Sequence, residues 1–144
     1  SPMPNLAAWV RKNPQVLTEA GVALPFDELS SGTWASDGKQ ARHLRDSLLR
    51  LAAHYLVQAK QGGSESGMPY DPVARFLLGN GARIESLNFL ADSSPKGFRQ
   101  SFGLMVNYLY NLDDIETNLE AFASTGSIAM SATVRRLARR KPAN

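Results

Sequence analysis

The sequence predicts an α+β fold, mostly helical with one two-strand hairpin, and three observations carry that expectation. From Gly38 to Gln61 the residues Ala41, Leu44, Leu48, Leu51, Leu56 and Ala59 recur at helical spacing. Ala82–Ala91 and Leu104–Tyr110 read as strands. In the second, Leu104, Val106, Tyr108 and Tyr110 alternate with Met105, Asn107 and Leu109, the period of a sheet. Between and before them stand two helix-start signals, Asp71-Pro72 and Ser94-Pro95, each a capping side chain followed by a ring that presets φ.

Taken in order, Pro4 to about Lys12 predicts a short helix with Leu6, Ala7 and Val10 on one side. Residues 13–35 are mixed, with Pro14, Pro25 and Gly32 as breakers and a helical turn expected at Gln15–Glu19. The long helix Gly38–Gln61 has Asp37 placed to cap it. Gln61–Met68, with three glycines and two serines, reads as a surface loop. The helix begun at Asp71-Pro72 is stopped by Gly79 and Gly81, and the one begun at Ser94-Pro95 by Gly103. Asp113 with Glu116 forms a capping signature for a helix from Asp114, and a last helix is expected from about Ile128 to Arg140. That makes about five helices and two strands. A two-strand sheet is marginal alone, so the strands are expected to extend a sheet supplied by further chain.

A length of 144 residues suits one compact domain. With 43% hydrophobic and 20% charged residues the chain is globular, not disordered. It has no run of roughly 18–20 apolar residues, so no membrane span is expected, and no signal-peptide pattern. Zero cysteines exclude disulfides, thiolate metal sites and cysteine nucleophiles, which fits a cytoplasmic protein. The net charge of +3 belongs to one end. Without Arg135, Arg136, Arg139, Arg140 and Lys141 the chain has 11 basic against 13 acidic residues. No aromatic residues interleave with these arginines, so a solvated, dispensable helix end is favoured over a nucleic-acid contact.

The common catalytic motifs are absent: no Walker loop, no Gly-x-Gly-x-x-Gly, no Gly-x-Ser-x-Gly, no His-Glu-x-x-His. His43 and His54 stand 11 residues apart in the long helix, about 16 Å along its axis, and cannot share a metal. Leu78–Gly81 (LGNG) is a weak phosphate-loop candidate and a good helix stop.

Longer blocks are more specific. They are DPVARFLLGNGA at Asp71–Ala82, LNFLADSSPKG at Leu87–Gly97, GLMVNYLY at Gly103–Tyr110 and Ser1-Pro2-Met3-Pro4-Asn5-Leu6 at the start. In order and spacing the sequence resembles the C-terminal catalytic region of malonyl-CoA decarboxylases. It departs at one place: where that family has a histidine after Arg-Phe, this chain has Leu77.

The resemblance implies the C-terminal portion of an N-acetyltransferase-like (GNAT) domain, decarboxylating malonyl-CoA to acetyl-CoA and carbon dioxide with no metal or organic cofactor. It implies that the serine of the Ser-Pro-hydrophobic-Pro element, Ser1, and a histidine at the position of Leu77 share the chemistry, with Tyr110 near the substrate carboxylate. Asn80 and Asn107 sit inside the blocks as candidate substrate-positioning residues. For Tyr110 a packed strand aromatic is an equal reading, and for Asn80 a turn residue beside glycine is the simpler one. The family's CoA pyrophosphate loop lies upstream of the Ser-Pro element. The resemblance therefore implies that residues 1–144 are a fragment whose partners are malonyl-CoA or acetyl-CoA and the upstream part of the same enzyme. The full-length protein is expected to be a homo-oligomer, with no nucleic-acid or membrane partner. Loss of the histidine leaves a second reading open, a non-catalytic acyl-CoA-binding or subunit-contact module.

Overall fold

In the computed structural model, residues 1–63 and 67–139 are described. They form eight α-helices and one antiparallel hairpin. The helices are α1 (Leu6–Lys12), α2 (Gln15–Glu19), α3 (Phe26–Ser31), α4 (Gly38–Gln58), α5 (Pro72–Leu78), α6 (Pro95–Ser101), α7 (Ile115–Thr125) and α8 (Ala132–Arg139). The strands are β1 (Arg83–Asn88) and β2 (Met105–Leu109).

Helix α4 is the spine. The Asp37 carboxylate accepts from the amides of Lys39 and Gln40, satisfying two of the donors that a helix start leaves open. The expected stripe is buried, and Leu49, Ala52, Ala53 and Tyr55 widen it until α4 is enclosed on most sides. The helix ends at Gln58 rather than Gln61. Residues 59–61 turn instead into a short ladder, in which Tyr70 donates to the Ala59 carbonyl and Gln61 to that of Met68, each at 2.8 Å. Ser64–Ser66 of the expected surface loop lie outside the described residues.

Two helices that the sequence does not announce follow from residues read as breakers. Pro25 precedes α3 with extended backbone, and Gly32 ends it at φ 77°, a conformation suited to glycine. A 3₁₀ turn, Thr33–Ser36, then buries Trp34, whose indole donates to the Leu29 carbonyl at 2.9 Å. The Trp34 ring meets Phe98 of α6 edge-on, with centroids 5.9 Å apart. The breakers were boundaries of short elements, not of a loop.

In the hairpin Arg83 opposes Leu109, Ile84 opposes Tyr108, and after an irregularity at Glu85 Ser86 opposes Asn107. Both outer edges are partly paired. Ile84 exchanges hydrogen bonds with Ala129 and Ser131, a parallel bridge to Met130. On the other side the Ser1 nitrogen donates to the Val106 carbonyl at 2.9 Å, and Val106 donates back to the Ser1 carbonyl at 3.0 Å. Two strands thus sit within a four-segment layer, against the helical core through Ile84, Leu104 and Val106.

At the C-terminal end the sequence reading needs two corrections. Helix α7 is opened by Asp114, with no side-chain cap; the Asp113 amide instead donates to the Asn111 side chain. Helix α8 starts at Ala132 because residues 129–131 are committed to the bridge. It is no dispensable tail: Val134 and Ala138 are buried and Gln58 of α4 donates to the Ala138 carbonyl, while Arg135, Arg136 and Arg139 point outward. Arg140 and Lys141 lie outside the described residues.

Candidate functional site

The site positions gather around β2 and the helix that feeds β1. Ser1 is held by its backbone pair with Val106, beside Asn107. Tyr110 follows the last residue of β2 and is 44% exposed; Asn107 lies on the outward face of the strand and is also exposed. Because Arg83 opposes Leu109, the turn between α5 and β1 enters the sheet at the end where Tyr110 leaves it. The side chains of Ser1, Asn107 and Tyr110 have no hydrogen-bond partner among the described residues, and none touches Leu77 through a polar contact. They are open groups on an open surface.

Leu77 and Asn80 belong to a different construction. The Ala82 amide donates to the Leu77 carbonyl and the Gly81 amide to that of Leu78, the paired 6→1 and 5→2 bonds of a Schellman cap. Gly81 takes φ +93°, and a Cβ there would lie 2.7 Å from Ile115 Cγ2 and 2.8 Å from its carbonyl oxygen. Only glycine meets both conditions, so this residue fixes how closely α7 covers the turn. Asn118 of α7 then donates to the Gly81 carbonyl at 3.1 Å. The Asn80 side chain donates to the Phe76 carbonyl at 2.8 Å, inside its own helix end. In this structure Asn80 is a turn residue. Leu77 itself is half-buried, with Phe76 beside it 69% exposed.

The Leu87–Gly97 block is likewise built for shape. The Asp92 carboxylate accepts from the amide and hydroxyl of Ser94, and these bonds hold it below its usual pKa. The Ser94 hydroxyl in turn accepts from the Gly97 amide, capping α6. A Cβ on Gly97 would lie 2.4 Å from Asp92 Cγ.

A buried polar cluster under the site is missing from the sequence reading. Asp71 is fully buried; one oxygen accepts from the Ala74 amide and the other from the Tyr55 hydroxyl, both at 2.9 Å. Burial pushes the Asp71 carboxyl up, against the opposing pull of those two hydrogen bonds. Burial and then the nearby Asp71 carboxylate push the Tyr55 hydroxyl up, and the same two causes act on Tyr108. The Tyr108 hydroxyl is buried without a partner among the described residues. The Asp71-Pro72 signal was legible as a cap. The remaining clue was a tyrosine on the buried stripe of α4, whose hydroxyl requires a partner.

Among the described residues no three His, Asp or Glu side chains stand together to hold a metal, and no helix is long and apolar enough to cross a membrane.

Residues 1–144 match the family description "Malonyl-CoA decarboxylase C-terminal domain". The chain is 42% identical over 106 residues to the mitochondrial malonyl-CoA decarboxylase of Rattus norvegicus and 38% identical over 106 residues to that of Anser anser anser. These matches take in 74% of the chain but 21% and 20% of the relatives, so it spans about a fifth of their length. Among solved structures it is similar to malonyl-CoA decarboxylase from Rhodopseudomonas palustris, with TM-score 0.83 and 47% identity over 95% of this chain and 32% of that one. It is also similar to malonyl-CoA decarboxylase from Agrobacterium vitis, with TM-score 0.79 and 42% identity over 97% of this chain and 35% of that one.

Proposed function

This chain belongs to the malonyl-CoA decarboxylase family, and from that premise we propose that it is the C-terminal part of a catalytic domain acting on malonyl-CoA. The observation that supports it most is the family match along all 144 residues, with the fold preserved beside solved relatives. We read the larger domain as GNAT-like, with the upstream part of the same enzyme as partner.

The chemistry asked of the site is modest. The bond between the malonyl carboxylate and Cα breaks, its electron pair enters the thioester as an enolate, and carbon dioxide leaves. A proton delivered to Cα then gives acetyl-CoA. The protein has to hold the carboxylate out of the carbonyl plane, stabilise the oxyanion and supply the proton. Ser1 is the hydroxyl assigned to the reacting end, Tyr110 the group facing the carboxylate, and Asn107 a positioning side chain on the same strand. Their exposed polar groups, without hydrogen-bond partners among the described residues, support these roles. Asn80 is bonded within its own turn and acts, if at all, through the shape of the α5–β1 connection.

Leu77 changes the balance. A positioned acid–base group contributes about 10²–10⁴ in rate, and leucine has no proton to give. The intact protein carrying this segment should decarboxylate malonyl-CoA slower than a histidine-bearing relative by about that factor. Leu77→His should recover much of it, and Ser1→Ala should then abolish the gain, since the two groups act as a unit. The measurement is acetyl-CoA release by each variant. Full turnover with Leu77 in place would show that the proton comes from elsewhere.

The same residue favours a second reading, an acyl-CoA-binding or subunit-contact module that kept the fold and lost the reaction. Malonyl-CoA binding with no turnover, unchanged by Leu77→His, would establish it.

A further inference from the structure

Helices α7 and α8 carry opposite charges and do not mix them. No lysine or arginine occurs from Gln100 to Val134, and no aspartate or glutamate after Glu120. Asp113, Glu116 and Glu120 are exposed at the start and along α7, and Arg135, Arg136 and Arg139 are exposed along α8. None of these side chains forms an ion pair among the described residues. Arg136 makes one long contact, 3.5 Å to the Thr133 hydroxyl. The two helices flank one groove of ≈ 280 Å³, with Asp114 and Asn118 of α7 on one wall and Arg135 of α8 on another. Two exposed leucines, Leu112 at the entry to α7 and Leu119 within it, stand beside the acidic residues. Neither set of charges is explained by its own helix. Glu116 with Glu120 and Arg135 with Arg139 are like-charge pairs one turn apart, an arrangement that destabilises a helix. Glu120 lies beyond the first turn of α7 and Arg135 outside the last turn of α8, so the helix dipoles do not account for them. Opposite charge brought from outside relieves both.

We propose that α7 and α8 form a self-association face, on which a second copy of this chain docks about a two-fold axis with the acidic side of α7 against the arginines of its α8. The charge pattern selects this occupant. A polyanion drawn to the arginines, such as nucleic acid or an anionic membrane, meets Asp113, Glu116 and Glu120 across the same groove. A fitting partner has to present both signs in reversed order. A second copy turned by a two-fold axis does so, and it makes the same contact twice. Exposed ion pairs are individually weak, so Leu112 and Leu119 supply apolar area while the charges set register and salt dependence. This association is independent of the reaction assigned to the chain.

The test is sedimentation equilibrium on the intact protein. Association of the parent should weaken at least about tenfold between about 0.05 M and about 0.5 M NaCl, as screening shortens the reach of exposed charges. Arg136→Glu with Arg139→Glu, and separately Glu116→Arg with Glu120→Arg, should each weaken association at least about tenfold at the lower salt. An equimolar mixture of these two variants should associate within about threefold of the parent, because each offers the sign that the other lacks. All four side chains are exposed, so the fold should survive. If a reversal variant does not fold, glutamine at the same two positions serves, with a smaller weakening. Affinity unchanged by both reversals overturns the proposal. So does a mixture no better than its components, and so does a parent that stays monomeric up to about 1 mM. Retention on heparin by a parent that does not self-associate, lost in the arginine reversal, would give the face to a polyanion and also overturn it.

Discussion

The turn Leu77–Ala82 and the strand end Asn107–Leu112 lead into the same end of the hairpin, and they treat their polar groups in opposite ways. In the turn every distinctive residue is used internally: the Leu77 and Leu78 carbonyls accept the capping bonds, Asn80 closes its own helix end, and Gly81 makes room for Ile115. In the strand end the side chains of Asn107 and Tyr110 are exposed without hydrogen-bond partners among the described residues, and Leu112 is 87% exposed. Both stretches lie in or beside the blocks that carry the resemblance to the family. The turn is built for shape, and the strand end leaves its polar groups available. Replacement of Gly81 or Asn80 should be felt in stability, and replacement of Asn107 or Tyr110 in activity.

The sharpest way to break this comparison is Gly81→Val. A left-handed conformation costs a non-glycine residue about 1–2 kcal/mol, and overlap with Ile115 adds about 1–3 kcal/mol. A loss on the order of 4 kcal/mol is expected, or more than 10 °C in thermal melting of a chain this size. A near-normal melting temperature would mean that α7 does not seat on the turn as described. Asp71→Ala should follow. It removes a cap worth about 1 kcal/mol, and it leaves the buried Tyr55 hydroxyl unpaired at about 1–3 kcal/mol. A loss of about 3 kcal/mol by denaturant unfolding is expected; a value below about 1 kcal/mol would show the cluster to be dispensable.

The pH dependence of the same carboxyl sharpens the reading. Burial raises Asp71, so the folded chain holds its proton to higher pH than the unfolded chain, whose carboxyl titrates near 3.9. Its contribution to stability is fully present below that pH and declines as pH rises through the folded value. In Asp71→Asn the decline disappears. The melting temperature of the variant relative to the parent should rise by a few degrees from about pH 4 towards neutral. A flat difference would mean that the hydrogen bonds from Ala74 and Tyr55 fully offset the burial. The smallest expected effect is at the strand end. Tyr110→Phe and Asn107→Ala should each change stability by less than about 0.5 kcal/mol. A larger loss would place these side chains in packing rather than at the site.

Several of these distinctions can be traced back to particular residues. Asp37, Asp71-Pro72 and Ser94-Pro95 announce helix starts, and the structure has a helix after each, because a cap acts on amides two or three residues away. The period-two run Leu104–Tyr110 locates β2, and Gly81 is legible as a stop. Asp113 misled, since a short acidic side chain serves a turn as readily as a cap. The helix Phe26–Ser31 was hidden because Pro25 and Gly32 punctuate a six-residue element as strongly as they would a loop.

The amino-acid sequence by itself determined the α+β class, the caps at Asp37, Asp71 and Ser94, the hairpin strands and the family. All of these depend on residues close along the chain or on matched blocks. Only the tertiary structure decided that Asp71 bonds Tyr55, that Ser1 pairs with Val106 and that Ile115 crowds Gly81. Each of these joins residues from 16 to 105 positions apart. The reason is physical: a cap or a strand period is set by neighbouring backbone groups, whereas the partner of a buried polar atom is whatever packing brings within about 3 Å of it.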